Sequence, residues 1–154
     1  MGNLKSDDDD ILLFHREIVE LVKKYQFRDR EQIVCWGISV SQCYVLETLH
    51  AEGNLTVSEL ADHMHLSIST ITRVFDQLVK KGYAVREQDA QDKRIFLCKL
   101  TDEGTEIYKK LWEIVSESEK AVLADFSADQ RKLLIEFLKK INRSAPFVEN
   151  SKQT

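Results

Sequence analysis

Residues 55–104 read LTVSELADHMHLSISTITRVFDQLVKKGYAVREQDAQDKRIFLCKLTDEG, and the fold turns on this stretch. Thr56 and Glu59 stand at capping-box spacing, so a short helix is expected over about 57–64. His65 and Leu66 then turn the chain into a second helix, expected over 67–81. Ser67 marks its start, because a hydroxyl there accepts from the unpaired amides of the first turn. Gly82 follows two lysines, the pattern of a helix end closed by a left-handed residue. Two strand-like runs, 83–88 and 94–100, flank the polar tip Asp89-Ala90-Gln91-Asp92-Lys93. Helix, tight turn, helix and hairpin make a winged helix-turn-helix.

The second helix carries the functional argument. Ile68, Ile71, Val74, Phe75, Leu78 and Val79 recur at helical spacing and form one apolar stripe, expected to face the core. Ser69, Thr70, Arg73, Asp76, Gln77 and Lys80 fall on the opposite side, with Thr72 at the edge. Small hydroxyls allow close approach to phosphates, a helix N-terminus attracts anions, and arginine can reach two acceptors on guanine. This face suits the major groove of double-stranded DNA. The competing interpretation is a plain solvated helix face, and the coincidence of turn, wing and hydroxyl cluster weighs against it.

The chain's net charge of −4 looks unsuited to a nucleic-acid partner until it is divided along the sequence. Residues 1–66 hold 6 basic and 12 acidic side chains, and residues 101–154 hold 9 and 10. Residues 67–100 hold 7 basic and 4 acidic, so the positive charge sits on the helix and wing. Local sign governs phosphate contact, and the acidic remainder only lowers non-specific affinity. At 154 residues the chain can form one domain with helical extensions. One proline and five glycines favour long helices over turns. No apolar run reaches membrane-span length, so no membrane partner is expected. The start MGNLKSDDDD lacks a signal-peptide core, and the cytoplasm is expected.

Residues 1–10 end in four aspartates and read as a flexible acidic N-terminus, although aspartates also suit a helix start. From Ile11 apolar residues return at helical intervals to about Phe27, within an N-terminal helical segment 11–36. Arg28–Gln32 either prolongs that helix or loops. Ser39 or Ser41 can cap a helix of about 41–51, with Tyr44, Val45, Thr48 and Leu49 on its core face. The winged unit spans 37–104. Thr101-Asp102-Glu103 opens a long helix to about Phe126, and Ser127 starts another carrying Leu133, Leu134, Phe137, Leu138 and Ile141. Helices thus occupy 105–145, and 146–154 is a polar tail. The expected class is mainly α with a small β-hairpin wing.

These segments resemble the MarR family of bacterial transcriptional regulators over roughly residues 39–141. Asp92-Lys93-Arg94 fits the family's D-x-R wing element, and Leu100-Thr101 with Gly104 fits its LT-x-x-G element. The resemblance implies that Ser67, Ser69, Thr70, Thr72 and Arg73 face the major groove or its phosphates, with Gln77 on the same side. It implies that Arg94 reaches the minor groove or backbone beside Lys93, with Asp92 steering its guanidinium. It also implies a homodimer joined by N- and C-terminal helices, set on a pseudo-palindromic operator with half-sites about 34 Å apart. The expected function is that of a transcriptional regulator, a homodimeric repressor released by a small ligand or an oxidant.

Other chemistry is thinner. Three cysteines in a cytosolic setting are expected to be reduced. Cys98 shares strand parity with Phe96 and Leu100 and is expected to pack inward. Cys35 and Cys43 flank Trp36-Gly37-Ile38, near where family members bind effectors or sense oxidants, but a buried thiol is the plainer account. Phe14, Tyr25, Trp36 and Tyr44 could line an effector pocket or simply form core or dimer interface. His63 and His65 lack the companions of a zinc site, and no metal or cofactor is expected. No nucleophile elbow, phosphate loop or nucleophile–base pair is present, which argues against an enzyme. The rival from another class is a winged-helix module for protein–protein contact.

Overall fold

The computed structural model describes residues 4–33 and 36–144. In chain order it contains α1 (Leu4–Ile33), α2 (Val40–Glu52), β1 (Leu55–Thr56), α3 (Val57–His63), α4 (Ile68–Lys80), β2 (Ala84–Gln88), β3 (Phe96–Leu100), α5 (Asp102–Ala124) and α6 (Ala128–Ser144). The chain divides between Tyr44 and Val45 into two compact units. No helix among the described residues is long and apolar enough to cross a membrane.

In the first unit, α1 outruns its expected start, and its far end takes the first of the two alternatives open for Arg28–Gln32. It starts at Leu4, so residues 4–10 are helical where a flexible acidic tail was expected. Asp7 lies in its first turn, where a carboxylate complements the exposed amides. At the other end Arg28–Gln32 prolong the helix, and a polar network ties them down. Asp29 is only 3% exposed. One of its oxygens accepts from Arg28 Nε and Nη2 at 3.0 and 2.7 Å, and the other from the Tyr44 hydroxyl at 2.6 Å. The Arg28 guanidinium also lies 4.3 Å from the centre of the Tyr25 ring. A buried carboxylate needs such partners, and here it has them on both oxygens.

Ser39, rather than Ser41, starts α2. Its hydroxyl accepts from the Gln42 amide, and the Gln42 side chain accepts from the Ser39 amide, both at 3.2 Å. Tyr44 departs from the expected core face: it is 44% exposed, with its hydroxyl donating to the buried Asp29. Gln42 and Cys43 are buried instead.

In the second unit, α3 carries the capping box read from Thr56 and Glu59, and Ser67 caps α4. Leu60, Ala61, Ile71, Phe75, Leu78, Ala84 and Cys98 are buried and form the core of the winged unit. β2 and β3 pair antiparallel from Ala84 opposite Leu100 to Gln88 opposite Phe96. The sheet has a third strand that the sequence did not suggest: β1 pairs with β3 through Leu55–Cys98 and Thr56–Leu97, in the order β1-β3-β2. Two residues are too few to display an alternating pattern.

The LT-x-x-G element has a plain steric cause. The Thr101 hydroxyl donates to the Gly82 carbonyl at 2.6 Å and accepts from the Gly104 amide at 3.0 Å. This binds the start of α5 to the end of α4. A Cβ on Gly104 would overlap the Tyr83 carbonyl, so only glycine fits the approach. At the α5–α6 corner Arg131 Nε donates to the Leu123 and Phe126 carbonyls, both at 2.9 Å. None of the residues of α6 is buried.

Candidate nucleic-acid interface

The start of α4 gathers hydroxyls because its first turn needs them. The Ser67 hydroxyl accepts from the Thr70 amide at 3.2 Å. It also lies 3.1 Å from the Ser69 hydroxyl and 2.8 Å from that of Thr70, so the three form one connected cluster. Thr72 bonds back to the Ile68 carbonyl at 2.8 Å. Arg73 is exposed on this helix, and among the described residues its guanidinium has neither a carboxylate nor a hydrogen-bond acceptor. Gln77 is exposed one turn further along.

Two expectations for this helix need correction. Helical period puts Ile68 in the apolar core stripe, yet it is 55% exposed. It occupies the first position of the helix, and side chains there lean past the N-terminus, beyond the reach of the core. Helical period puts Asp76 on the outer face, yet it is half-buried and bonded to Arg86 of β2, Nη1 to Oδ1, at 2.6 Å. The same guanidinium lies 5.3 Å from the centre of the Phe75 ring.

The wing tip, a plain polar loop by sequence, is organised by Asp89. One of its oxygens accepts from the Gln91 and Asp92 amides, both at 2.8 Å. These bonds hold its carboxyl below the usual aspartate range. Its own amide donates to the Ile95 carbonyl at 2.9 Å, closing the loop. An aspartate opening a short polar turn was the available signal. Asp92 does not steer the Arg94 guanidinium: it accepts from the Arg94 backbone amide at 2.9 Å. Two residues of separation suit a turn bond to the main chain better than a return of the long side chain. The Arg94 guanidinium, like that of Arg73, is exposed and without a partner among the described residues, and Lys93 is exposed beside it. On the strands, by contrast, Lys99 is tied to Glu87 at 2.8 Å.

The arrangement therefore offers two unengaged guanidiniums, one on a helix and one on a loop tip, with a hydroxyl cluster beside the first. Both can donate to phosphate or to base edges. His65, in the turn between α3 and α4, takes a left-handed backbone with φ of 52°.

The residues considered for effector or redox chemistry are less convergent. Tyr25 and Tyr44 are linked through Arg28 and Asp29, while Phe14 and Trp36 are exposed and stand outside that network. Burial, with the Asp29 contact second, pushes the Tyr44 phenol well above its ordinary value. Cys43 is buried, and Cys35 lies outside the described residues. Cys98 packs inward as expected, and burial pushes its thiol up to about 11.

Two helices joined by a tight turn, with a sheet folded against the second, define a winged-helix protein. The sequence model of the MarR family matches residues 38–96. The HTH-type transcriptional regulator YkoM of Bacillus subtilis is 31% identical over 119 residues, covering 77% of this chain and 75% of that protein. The HTH-type transcriptional repressor MdtR of the same organism is 32% identical over 101 residues, covering 66% and 65%. Among solved structures, a mutant MarR from E. coli complexed with operator DNA is 27% identical, with a TM-score of 0.71, covering 86% of this chain and 96% of that one. A MarR family protein from Bacillus stearothermophilus, 24% identical, shares the fold with a TM-score of 0.78, covering 88% and 95%. The chain belongs to the MarR family and is a DNA-binding transcriptional regulator.

Proposed function

We propose that this protein is a cytoplasmic homodimeric repressor that binds a pseudo-palindromic operator and is released by a small ligand or an oxidant. The observation that carries the DNA contact is the pair of unengaged guanidiniums, Arg73 on α4 and Arg94 on the wing. On this reading α4 enters the major groove. Ser67, Ser69, Thr70, Thr72, Arg73 and Gln77 meet base edges and phosphates, and Lys93 and Arg94 meet the backbone or minor groove. Asp92 contributes indirectly, by fixing the backbone from which Arg94 projects.

A second copy of the chain is supported by unburied apolar surface at both ends of the sequence. On α1, Ile11, Leu12, Leu13 and Phe14 are all exposed, and four successive helical positions point to four sides. On α6, Leu133, Ile135, Phe137 and Leu138 are exposed, Phe137 by 59%. Large apolar side chains left exposed along whole helices gain from burial against a partner surface. Release would follow from any signal that changes the spacing of the two α4 helices, because the spacing of successive major grooves is fixed. Cys43 is buried, so an oxidant acting there would need local opening of the chain.

The test is titration of the chain against fragments of its own promoter region at two salt concentrations. Sequence-selective binding by two chains per site, weakening steeply with salt, is expected. Salt-insensitive or absent DNA binding by a folded dimer would favour the protein-contact module instead.

A further inference from the structure

We propose that Ile68 reads the methyl group of a thymine and so helps set operator sequence. This inference rests on the DNA-binding reading of α4. Ile68 is a branched apolar side chain, 55% exposed, between Ser67 and Ser69 at the first position of that helix. Those hydroxyls are occupied with each other and with the Thr70 amide. One turn on, Thr72 gives its hydroxyl to the Ile68 carbonyl, which leaves its methyl as the portion not bonded to the helix. An apolar edge, Ile68 with the Thr72 methyl, thus runs beside the polar cluster at the end of the helix that enters the groove first.

The chemistry of the groove narrows what such an edge can recognise. On the major-groove side, guanine, adenine and cytosine present hydrogen-bond donors and acceptors, whereas thymine adds a C5 methyl. An apolar side chain laid against a base amine or carbonyl would strip its water and return no hydrogen bond. Against the thymine methyl it removes apolar surface from water on both partners. Ile68 therefore favours thymine and penalises its alternatives, whereas Arg73 favours guanine. The two residues, five positions apart in sequence, would read different base pairs of one half-site.

The experiment begins by selecting binding sites for the full chain from a random duplex library. Each thymine of the selected site is then replaced singly by deoxyuridine, which pairs identically but lacks the methyl. For the wild type, one replacement per bound head should weaken binding about 4-fold, the worth of a buried methyl. The same replacement should leave Ile68→Ala unchanged, and Ile68→Val should keep part of the sensitivity. Circular dichroism checks that the variants fold, which is expected at a site outside the core. A wild type indifferent to every replacement, or an Ile68→Ala variant that loses as much as the wild type, would overturn the proposal while leaving the operator-binding reading intact. Failure to select any sequence would instead remove both.

Discussion

Arg86 of the wing holds Asp76 of α4 at 2.6 Å while its guanidinium rests 5.3 Å from the Phe75 ring centre. This one contact couples the two elements that carry Arg73 and Arg94. Both partners remain about a third exposed or more, so the pair adds only about 0.5 kcal/mol to stability. Its larger effect is expected on DNA binding, because it joins β2 to α4. Asp76→Ala and Arg86→Ala should each weaken operator binding about 3- to 10-fold, with little change in Tm. In a double-mutant cycle the combined variant should lose no more than either single one. Additive losses would mean that the residues act separately.

Arg73→Ala and Arg94→Ala should fail in different ways. Loss of Arg73 should cost about 1–3 kcal/mol on the operator and relax preference at one base pair. Loss of Arg94 should weaken all sequences alike and reduce the slope of log affinity against log salt by about 1 per chain. Titrations against the operator and a scrambled duplex at several salt concentrations separate the two. Uniform loss from Arg73→Ala would make it a phosphate contact.

Gly104→Ala should destabilise the winged unit by about 2 kcal/mol or more, because the new Cβ meets the Tyr83 carbonyl, which the Thr101 bonds hold in place. Gly82 has open space around its Cα and a φ of 78°, so Gly82→Ala should carry only the left-handed backbone cost of about 1–2 kcal/mol. Urea unfolding of both variants checks the order. Equal losses would mean that the chain relaxes around residue 104.

The wing tip should loosen in acid. The Asp92 and Gln91 amides hold the Asp89 carboxyl below its ordinary value, so these bonds contribute order fully above about pH 4, the unfolded aspartate value. That contribution is lost as pH falls through the depressed folded value. The protection of the Gln91 and Asp92 amides from hydrogen exchange, taken relative to an unstructured chain at the same pH, should fall there in the wild type. In Asp89→Asn the same two amides should show no such acid step. A step that persisted in the variant would assign it to another group.

Much of the winged unit was legible in its residues because its signals are local. Thr56 with Glu59, Ser67 and Gly82 mark helix ends through bonds to their own near neighbours, and α3 and α4 fall within a residue or two of the expected spans. The buried positions Ile71, Phe75 and Leu78 follow from helical period alone. Local charge likewise pointed to the segment 67–100.

What tertiary structure decided are the contacts between residues far apart in sequence or at the edge of a periodic stripe. Period placed Ile68 with the core, but period cannot say where along the helix the core stops, and Ile68 lies beyond it. Asp76 looked like a solvent residue until β2 brought Arg86 to it, ten positions away. Tyr44 lies outside the expected core with its hydroxyl on Asp29, fifteen positions earlier, and β1 forms as a strand by pairing with β3. The sequence by itself determined the helices and the hairpin of the winged unit, since capping and periodicity act within a few residues. Only the folded chain determined which charges bind one another and which, like Arg73 and Arg94, stay exposed without a partner among the described residues.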